Sequence, residues 1–579
     1  MWMLRGRVCR SVLCCVSKNA VYANLTPIVP FRECFSFIPM SPGWRASNVG
    51  FGAKEFALSV NGETGDQGIQ QSKKGDALTL ALRAGVNVID TSAHFHKGQS
   101  EQYVGNVINR QIEEGIVTRE SLILVTKAGH HPPVPATSTS PSYPYANLGP
   151  NVLAHSLAPA FLEGELTRSL ERLGVESVDV FMVNCPERMG ADLAKRFTTE
   201  KVYDLIGEAF AYLDKEVQRG RITSYGLSSQ SLSPSPTATA TTLHLPTLLS
   251  HLSQSSRTHS PTYPPNLSTV EFPFNILDTA TYNRGTYDGA EGVMRHVMRS
   301  GLWAVVNRPL LGVSKGARKL VSSPIRGGSG SGEDPSNLDT MTTHLNQLVE
   351  MERSLPVLLS MDDSKFLEAF VWGQAIQENI TQLLQNPYMG RLYLTSRVAP
   401  AVPAACAELK QHGKEAEEWC AEYLAAYTAF ASTFLRILDT RQSNDNTNLA
   451  SLLSSAAKAG AISAGVKGSA PFTPVPNTPT ATPSTPSPPP TLQTIALTCA
   501  RSALALSMPN ASTSTPLDED DEDDEANEPA GTVLVGMHRP EYVRDVLGIV
   551  TGDGARGPVP LVSRDVLEDV LECAGQVVV

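Results

Sequence analysis

The sequence predicts an α/β protein: a (β/α)8 TIM barrel carrying a helical insertion and disordered low-complexity insertions. Three observations predict it. Eight short runs are nearly continuous in apolar and β-branched residues, as strands buried on both faces are. Helical patterns with apolar residues three and four apart lie between most of them. The remaining segments break that alternation by composition rather than by period. Strand–helix alternation of this length gives parallel β/α units, and function in such barrels sits on the loops after the strands.

The candidate strands are 47–53, 86–90, 122–126, 178–184, 222–228, 268–272, 303–307 and 532–536. Helical spacing marks Gly75 to Ala84, Ser100 to Glu114, Phe161 to Leu173 and Lys201 to Gln218. Gly174 and Gly220 follow the third and fourth of these as C-terminal stops.

Before the first strand, residues 1–45 read as a transit peptide or disordered tail. Arg5, Arg7, Arg10, Lys18 and Arg32 all precede the first acid, Glu33. A basic, acid-poor, partly apolar start is the profile of a mitochondrial presequence, with a plastid or cytoplasmic location as the alternatives. The barrel's first part spans 46–312, with a Ser/Thr/Pro-rich low-complexity insertion at 231–264. A flexible insertion follows at 313–363, hinged on the Gly/Ser run 327–332, and then a helical insertion at 364–459. A disordered linker at 460–490 leads to the barrel's completion, 491–579, itself interrupted at 506–530 by an acidic disordered stretch.

A net charge of −11 over 579 residues argues against a nucleic-acid partner. No apolar run reaches the ~18 residues of a membrane span. Nine cysteines without a CxxC pair suit reduced thiols, and no metal-ligand spacing appears. His94 and His96 lack a third ligand, so no metal site is assigned. His130-His131 reads as a solvated loop.

The pieces IDTSAHFHKGQSEQYVG, LVTKAG, LTRSLERLGVESVDVFMVNCPE and YGLSS, with NRPL (307–310) and VLVGMHRPEYV (533–543), occur in an order and spacing that resembles the aldo-keto reductase superfamily. The resemblance covers about 47–310 and 491–550, in a less-studied branch with a helical insertion before the last strand. It implies a barrel using NAD(P)H and acting on a small-molecule carbonyl or alcohol. It also implies a catalytic aspartate, tyrosine, lysine and histidine. The aspartate matches Asp90 and the lysine Lys127. The tyrosine position holds Phe95 and the histidine position Asn184. Phenylalanine has no proton to give, and asparagine donates a hydrogen bond without titrating near neutrality. His94, His96, Lys127 or a bound water are the alternative donors. Asp90 and Lys127 read equally as an internal ion pair kept for packing.

The same resemblance assigns the nicotinamide amide to Ser228, Ser229 and Glu271, where the family has serine, asparagine and glutamine. It puts Asn307 where an aromatic ring usually stacks. Gly536, Met537, His538, Arg539 and Glu541 form a glycine turn that opens a helix, a ready phosphate site. His538 and Arg539 favour NADP(H) over NAD(H). The expected function is an NAD(P)H-dependent oxidoreductase with a modified tetrad. The alternative is a catalytically degenerate barrel acting as a dinucleotide- or metabolite-binding regulatory protein.

Overall fold

The computed structural model describes residues 35–37, 45–54, 77–134, 141–149, 153–232, 241–255, 266–282, 292–314, 317–320, 335–359, 368–463, 471–472, 490–507, 531–537, 539–551 and 559–577. Most of the expected transit peptide or disordered tail (1–45), the Gly/Ser hinge, most of the 460–490 linker, the acidic run and His538 lie outside them.

Eight parallel strands close into a barrel. They are β1 (Val49–Gly52), β2 (Val88–Asp90), β3 (Ile123–Ala128), β4 (Val178–Asn184), β5 (Ile222–Ser228), β6 (Leu267–Pro273), β7 (Trp303–Asn307) and β8 (Gly531–Val535). Each pairs with the next in sequence, and β8 closes on β1 through Val533↔Val49 and Val535↔Phe51. The expected (β/α)8 architecture is therefore present.

Side-chain alternation along these strands explains where the barrel puts its polar groups. A buried apolar cluster includes Val88, Ile123, Val125, Val180, Met182, Trp303 and Val305. One step of two residues along the same strands reaches Asp90, Lys127, Asn184 and Asn307. The predicted site is thus the last inward layer of the barrel, at its C-terminal end, lying on an apolar plug. Gly226 on β5 keeps that plug closed, because a Cβ there would meet the Thr269 carbonyl oxygen at 2.7 Å.

The helices around the barrel include Gln99–Glu113, Pro159–Leu173 and Thr199–Gln218. Gly174, at φ 64, caps the second of these in the left-handed conformation that the sequence pattern anticipates. Two insertions hold more order than composition suggested. Within 231–264, Leu245–Ser255 is a helix that buries Leu245, Leu248, Leu249 and Leu252. It is the helix of the fifth β/α unit, disguised by its serines. Within 313–363, Pro335–Leu359 is a helix of 25 residues.

The chain divides into two compact units. One is 1–309, 456–488 and 496–572, which contains the barrel. The other is 310–455, 489–495 and 573–579, which is largely helical. The second unit's core gathers Phe370, Val398, Val402, Trp419, Tyr423, Phe430 and Phe434. Trp419 and Tyr423, one turn apart, stack at 4.9 Å with rings only 12° from parallel. No helix among the described residues is long and apolar enough to cross a membrane.

Candidate active site

Lys127 is the centre of the site. It is buried at the end of β3, and its ammonium donates to Asp90 Oδ1 and, at 2.7 Å, to Glu271 Oε2. One cation therefore faces two buried carboxylates. Burial is the largest influence on Asp90, and with repulsion from Glu271 it outweighs the Lys127 attraction and raises the carboxyl to about 7. For Lys127, burial works against the charge, but Asp90 and Glu271 overcome it and hold the ammonium above its ordinary range.

The cofactor-side candidates lie on β5, β6 and β7. Glu271 pairs in register with Ser228 and with Val305. Its second oxygen, Oε1, accepts from Asn307 Nδ2 at 2.5 Å. The position expected to hold the nicotinamide amide is therefore already bonded on both oxygens. Ser228 Oγ and Asn307 Oδ1, in contrast, are buried with no hydrogen-bond partner among the described residues. Ser229 is buried, and its Oγ accepts from the Ser231 backbone N–H at 3.2 Å, closing a turn.

On the other half of the mouth stand imidazoles. Ser92 Oγ lies 2.8 Å from His94 Nδ1 and 2.9 Å from the Lys127 carbonyl oxygen. His94 stacks on His130 at 4.1 Å, and His130 meets His155 edge-on at 5.5 Å. The Asn184 amide nitrogen lies 3.5 Å from His94 Nδ1 and 3.4 Å from His130 Nδ1. His155 Nε2 donates to the Asn184 carbonyl oxygen at 2.8 Å. Burial, aided by neighbouring positive charge, lowers His94 to about 2, and lowers His130 and His155 to about 3. All three rings are neutral at physiological pH.

The sequence reading of His130 as solvated needs correction. His130-His131 pairs as a short antiparallel bridge with Ala154-His155, which turns His130 inward. Gly129 permits the approach. Its φ is +157, and a Cβ there would lie 2.4 Å from the Asn184 carbonyl oxygen. His155 carried no signal in the sequence at all.

His94 and His96, equivalent candidates in sequence, separate here. His96 and Lys97 sit at φ 47 and 56 on a left-handed turn, and both are exposed. His96 therefore stands outside the buried cluster. Phe95 is half-buried, its ring centroid 4.7 Å from that of His94. No group of three or more His, Cys, Asp or Glu that could hold a metal occurs among the described residues.

The expected phosphate turn follows β8. Gly536 is exposed, whereas Met537 is fully buried, backbone included. Arg539 caps the helix Pro540–Thr551, its carbonyl accepting from Tyr542 and Val543 at 3.0 and 3.2 Å. Its exposed guanidinium lies 5.9 Å over the Tyr542 ring. Glu541 is exposed in the helix's first turn, where a carboxylate opposes a phosphate; its place in the proposed anion site is therefore unfavourable.

Parts of the chain are similar to known proteins. Residues 48–242 match the model of the aldo/keto reductase family. The NADH-specific methylglyoxal reductase of Escherichia coli is 24% identical over 154 residues, 27% of this chain and 40% of that enzyme. Aldo-keto reductase family 1 member C1 of Macaca fuscata fuscata is 28% identical over 118 residues, 20% of this chain and 28% of that protein. The chain thus spans less than half the length of these relatives. Among solved structures, an aldo-keto reductase of Bacillus halodurans aligns at 17% identity and TM-score 0.31, over 54% of this chain and 77% of that one. The glycerol dehydrogenase of Gluconobacter oxydans gives 17% and 0.31, over 55% and 79%. An NADPH complex of an aldo-keto reductase from Klebsiella pneumoniae gives 16% and 0.29, over 46% and 65%. Residues 48–242, which contain β1 to β5 of the closed parallel barrel, are thus similar to the aldo/keto reductase family.

Proposed function

We propose that the barrel binds NADP(H) in preference to NAD(H) and serves an oxidoreductase reaction on a small carbonyl or alcohol, with His94 replacing the missing tyrosine. The observation that carries this is the seating of His94: largely buried, neutral, fixed by Ser92 and stacked on His130, at the same end of the barrel as Lys127.

The residues present fit a nicotinamide. Ser228 Oγ and Asn307 Oδ1 are buried polar atoms without partners, on strands flanking Glu271. A carboxamide offers the donor and acceptor they lack. When bound, the nicotinamide supplies or accepts the hydride. Arg539 provides a cation for phosphate beside the exposed Gly536, and a 2′-phosphate suits the exposed guanidinium.

His94 then acts on the substrate oxygen. The single Ser92 hydroxyl proton is donated to the Lys127 carbonyl, so His94 Nδ1–H donates to Ser92 Oγ and Nε2 carries the free lone pair. That Nε2 can take the proton of an alcohol hydroxyl as its carbon gives up hydride, and return it to the same oxygen in the reduction direction. The Asn184 amide can donate a hydrogen bond to that oxygen. Lys127, held by Asp90 and Glu271, is fixed in place and engaged on both sides, so it transfers no proton itself.

A binding-only barrel is favoured by one observation: Lys127 is engaged by both Asp90 and Glu271. Fluorescence titration with NADPH and NADH, followed by a carbonyl turnover screen, separates the readings. The oxidoreductase reading expects NADPH to bind more tightly, Arg539→Ala to weaken it, and His94→Gln to lower kcat about 10²–10⁴-fold while Phe95→Tyr changes it little. Binding without turnover on any carbonyl would select the regulatory reading. No binding of either dinucleotide would sink the oxidoreductase reading and leave only a metabolite-binding barrel.

A further inference from the structure

Each of the three clustered imidazoles has one nitrogen whose partner decides where the ring proton sits. Ser92 Oγ donates to the Lys127 carbonyl oxygen at 2.9 Å, so His94 holds its proton on Nδ1 and donates to Ser92 at 2.8 Å. His155 Nε2 donates to the Asn184 carbonyl oxygen at 2.8 Å, which leaves Nδ1 as a bare lone pair. The Asn184 side chain settles the third ring. Its Oδ1 accepts from the Cys185 thiol at 3.3 Å, and its Nδ2 therefore faces the imidazoles. Nδ2 approaches His94 Nδ1 at 3.5 Å, but that nitrogen is protonated and accepts nothing. It donates instead to His130 Nδ1 at 3.4 Å, and His130 keeps its proton on Nε2.

The stack of His94 on His130 thus pairs neutral rings of opposite tautomer, with centroids 4.1 Å apart and planes 21° from parallel. His94 Nε2 is an acceptor, and His130 Nε2–H is a donor. Both rings are half-buried, and neither Nε2 forms a hydrogen bond among the described residues. Neither is sealed in, in contrast to His155 Nδ1, which is buried without a partner among the described residues. The backbone keeps His130 at this place. His130-His131 bridges Ala154-His155, the Ser156 N–H donates to the Gly129 carbonyl at 2.9 Å, and His155 is clamped to Ala146 by bonds of 2.7 and 3.0 Å. The His155 ring then meets His130 edge-on at 5.5 Å.

We propose that His130 is a further catalytic residue, whose Nε2–H donates a hydrogen bond to the same substrate oxygen that exchanges its proton with His94 Nε2. This rests on the oxidoreductase reading and adds a donor that the reading leaves idle. A hydroxyl offers a proton to one ring and a lone pair to the other. In the reduction direction negative charge gathers on that oxygen, and a preorganised neutral donor stabilises it. His130 gives up no proton itself. Burial above all lowers its pKa to about 3, so the ring stays neutral, and the Asn184 amide fixes its tautomer. His155 is a positioning residue on this account, since it holds both the His130 strand and the Asn184 carbonyl.

Two measurements on the full chain test it. The first needs no turnover: long-range proton–nitrogen-15 correlation spectra at neutral pH, with the rings assigned through His94→Gln, His130→Gln and His155→Gln. Protonated and bare ring nitrogens resonate far apart. The proton should sit on Nδ1 in His94 and on Nε2 in His130 and His155. Asn184→Asp, which when ionised only accepts, should put a proton on His130 Nδ1. A native His130 already protonated on Nδ1, or a His130 spectrum unmoved by Asn184→Asp, overturns the proposal. The second measurement is turnover of benzaldehyde with NADPH. His130→Phe keeps a flat ring against His94 and removes the donor. It should lower kcat about 10²–10³-fold and leave KM and NADPH affinity largely unchanged. His130→Gln, which retains an N–H, should recover part of that loss. A His130→Phe protein that turns over normally, or that loses NADPH affinity in step with turnover, overturns the proposal and leaves the oxidoreductase reading standing. If the native chain binds NADPH and turns over neither benzaldehyde nor any other carbonyl of the screen, the oxidoreductase reading fails, and the catalytic role of His130 falls with it even where the tautomers are as assigned.

Discussion

Glu271 Oε2 accepts from the Lys127 ammonium at 2.7 Å, although β6 and β3 are three strands apart in the barrel wall. The contact crosses the barrel interior. It joins the predicted catalytic pair to the predicted cofactor side, which the sequence presented as separate groups.

That relationship predicts the outcome of Glu271→Gln. The carboxylate repels Asp90 and contributes to raising it to about 7. An amide removes the repulsion but leaves the burial. The Asp90 carboxyl should titrate lower in the variant, followed by its carbon-13 carboxyl resonance. Dinucleotide affinity should change as well, since the amide restores a group able to donate to a carboxamide oxygen. An unmoved Asp90 resonance would show that burial alone sets its titration.

The buried imidazoles predict acid sensitivity. His94 at about 2, and His130 and His155 at about 3, compare with 6.5 for a free ring. Between about pH 6.5 and 3 the unfolded chain binds up to three protons that the native barrel refuses. Their contribution is full above 6.5 and is lost as the pH falls. Asp90 opposes them, because the native carboxyl retains its proton between 3.8 and about 7 while the unfolded one releases it. The histidines outnumber it, so stability should fall on acidification from pH 6.5, at about 1.4 kcal/mol per pH unit for each uncompensated proton. Urea midpoints across pH 4–7 should show this, and His130→Gln should flatten the slope by about one proton. A barrel that gains stability on acidification would contradict the assignment.

Asp90, Lys127, Asn184 and Asn307 were legible through the family resemblance, and strand alternation supplies the physical reason they converge, since each falls two residues beyond an apolar inward position. The histidines were not legible, for a local reason. Whether His94 or His96 points inward depends on a run of left-handed residues, His96, Lys97 and Gly98, of which only the glycine announces itself. His130 and His155 meet through a bridge between two-residue strands, too short to leave a periodic pattern. The helix Leu245–Ser255 was hidden because low-complexity composition masked its apolar face.

Gly129 should be irreplaceable. Its φ of +157 and the 2.4 Å approach to the Asn184 carbonyl leave no room for a methyl group, and His155 Nε2 would lie at 2.7 Å. Gly129→Ala must push apart β3 and the end of β4, breaking the His155–Asn184 hydrogen bond. A loss of about 1–3 kcal/mol is expected from overpacking and strain, read as a lower urea midpoint. His94 and His130 should then titrate nearer their ordinary range by proton NMR. An alanine variant of native stability and unchanged titration would show that the close approach is not required.

In the helical unit, Glu352 is the residue on which the packing turns. It is 4% exposed, and it accepts from Tyr423 Oη at 2.6 Å, Gly373 N at 2.6 Å and Gln374 N at 3.1 Å. The carboxylate satisfies the first free N–H groups of the helix Trp372–Gln385 and ties them to the aromatic stack on the helix Lys414–Ser463. Glu352→Ala strands these donors in an apolar core, which should cost about 3–5 kcal/mol, the range for leaving buried charge-assisted partners unmatched. Glu352→Gln keeps the shape and one acceptor oxygen, so it should cost less. The near-ultraviolet dichroism of Trp419 and Tyr423 reports the unit directly. It should melt earlier in the alanine variant, with glutamine between it and the native chain. Equal melting of the three proteins would mean that apolar packing holds the stack without the carboxylate.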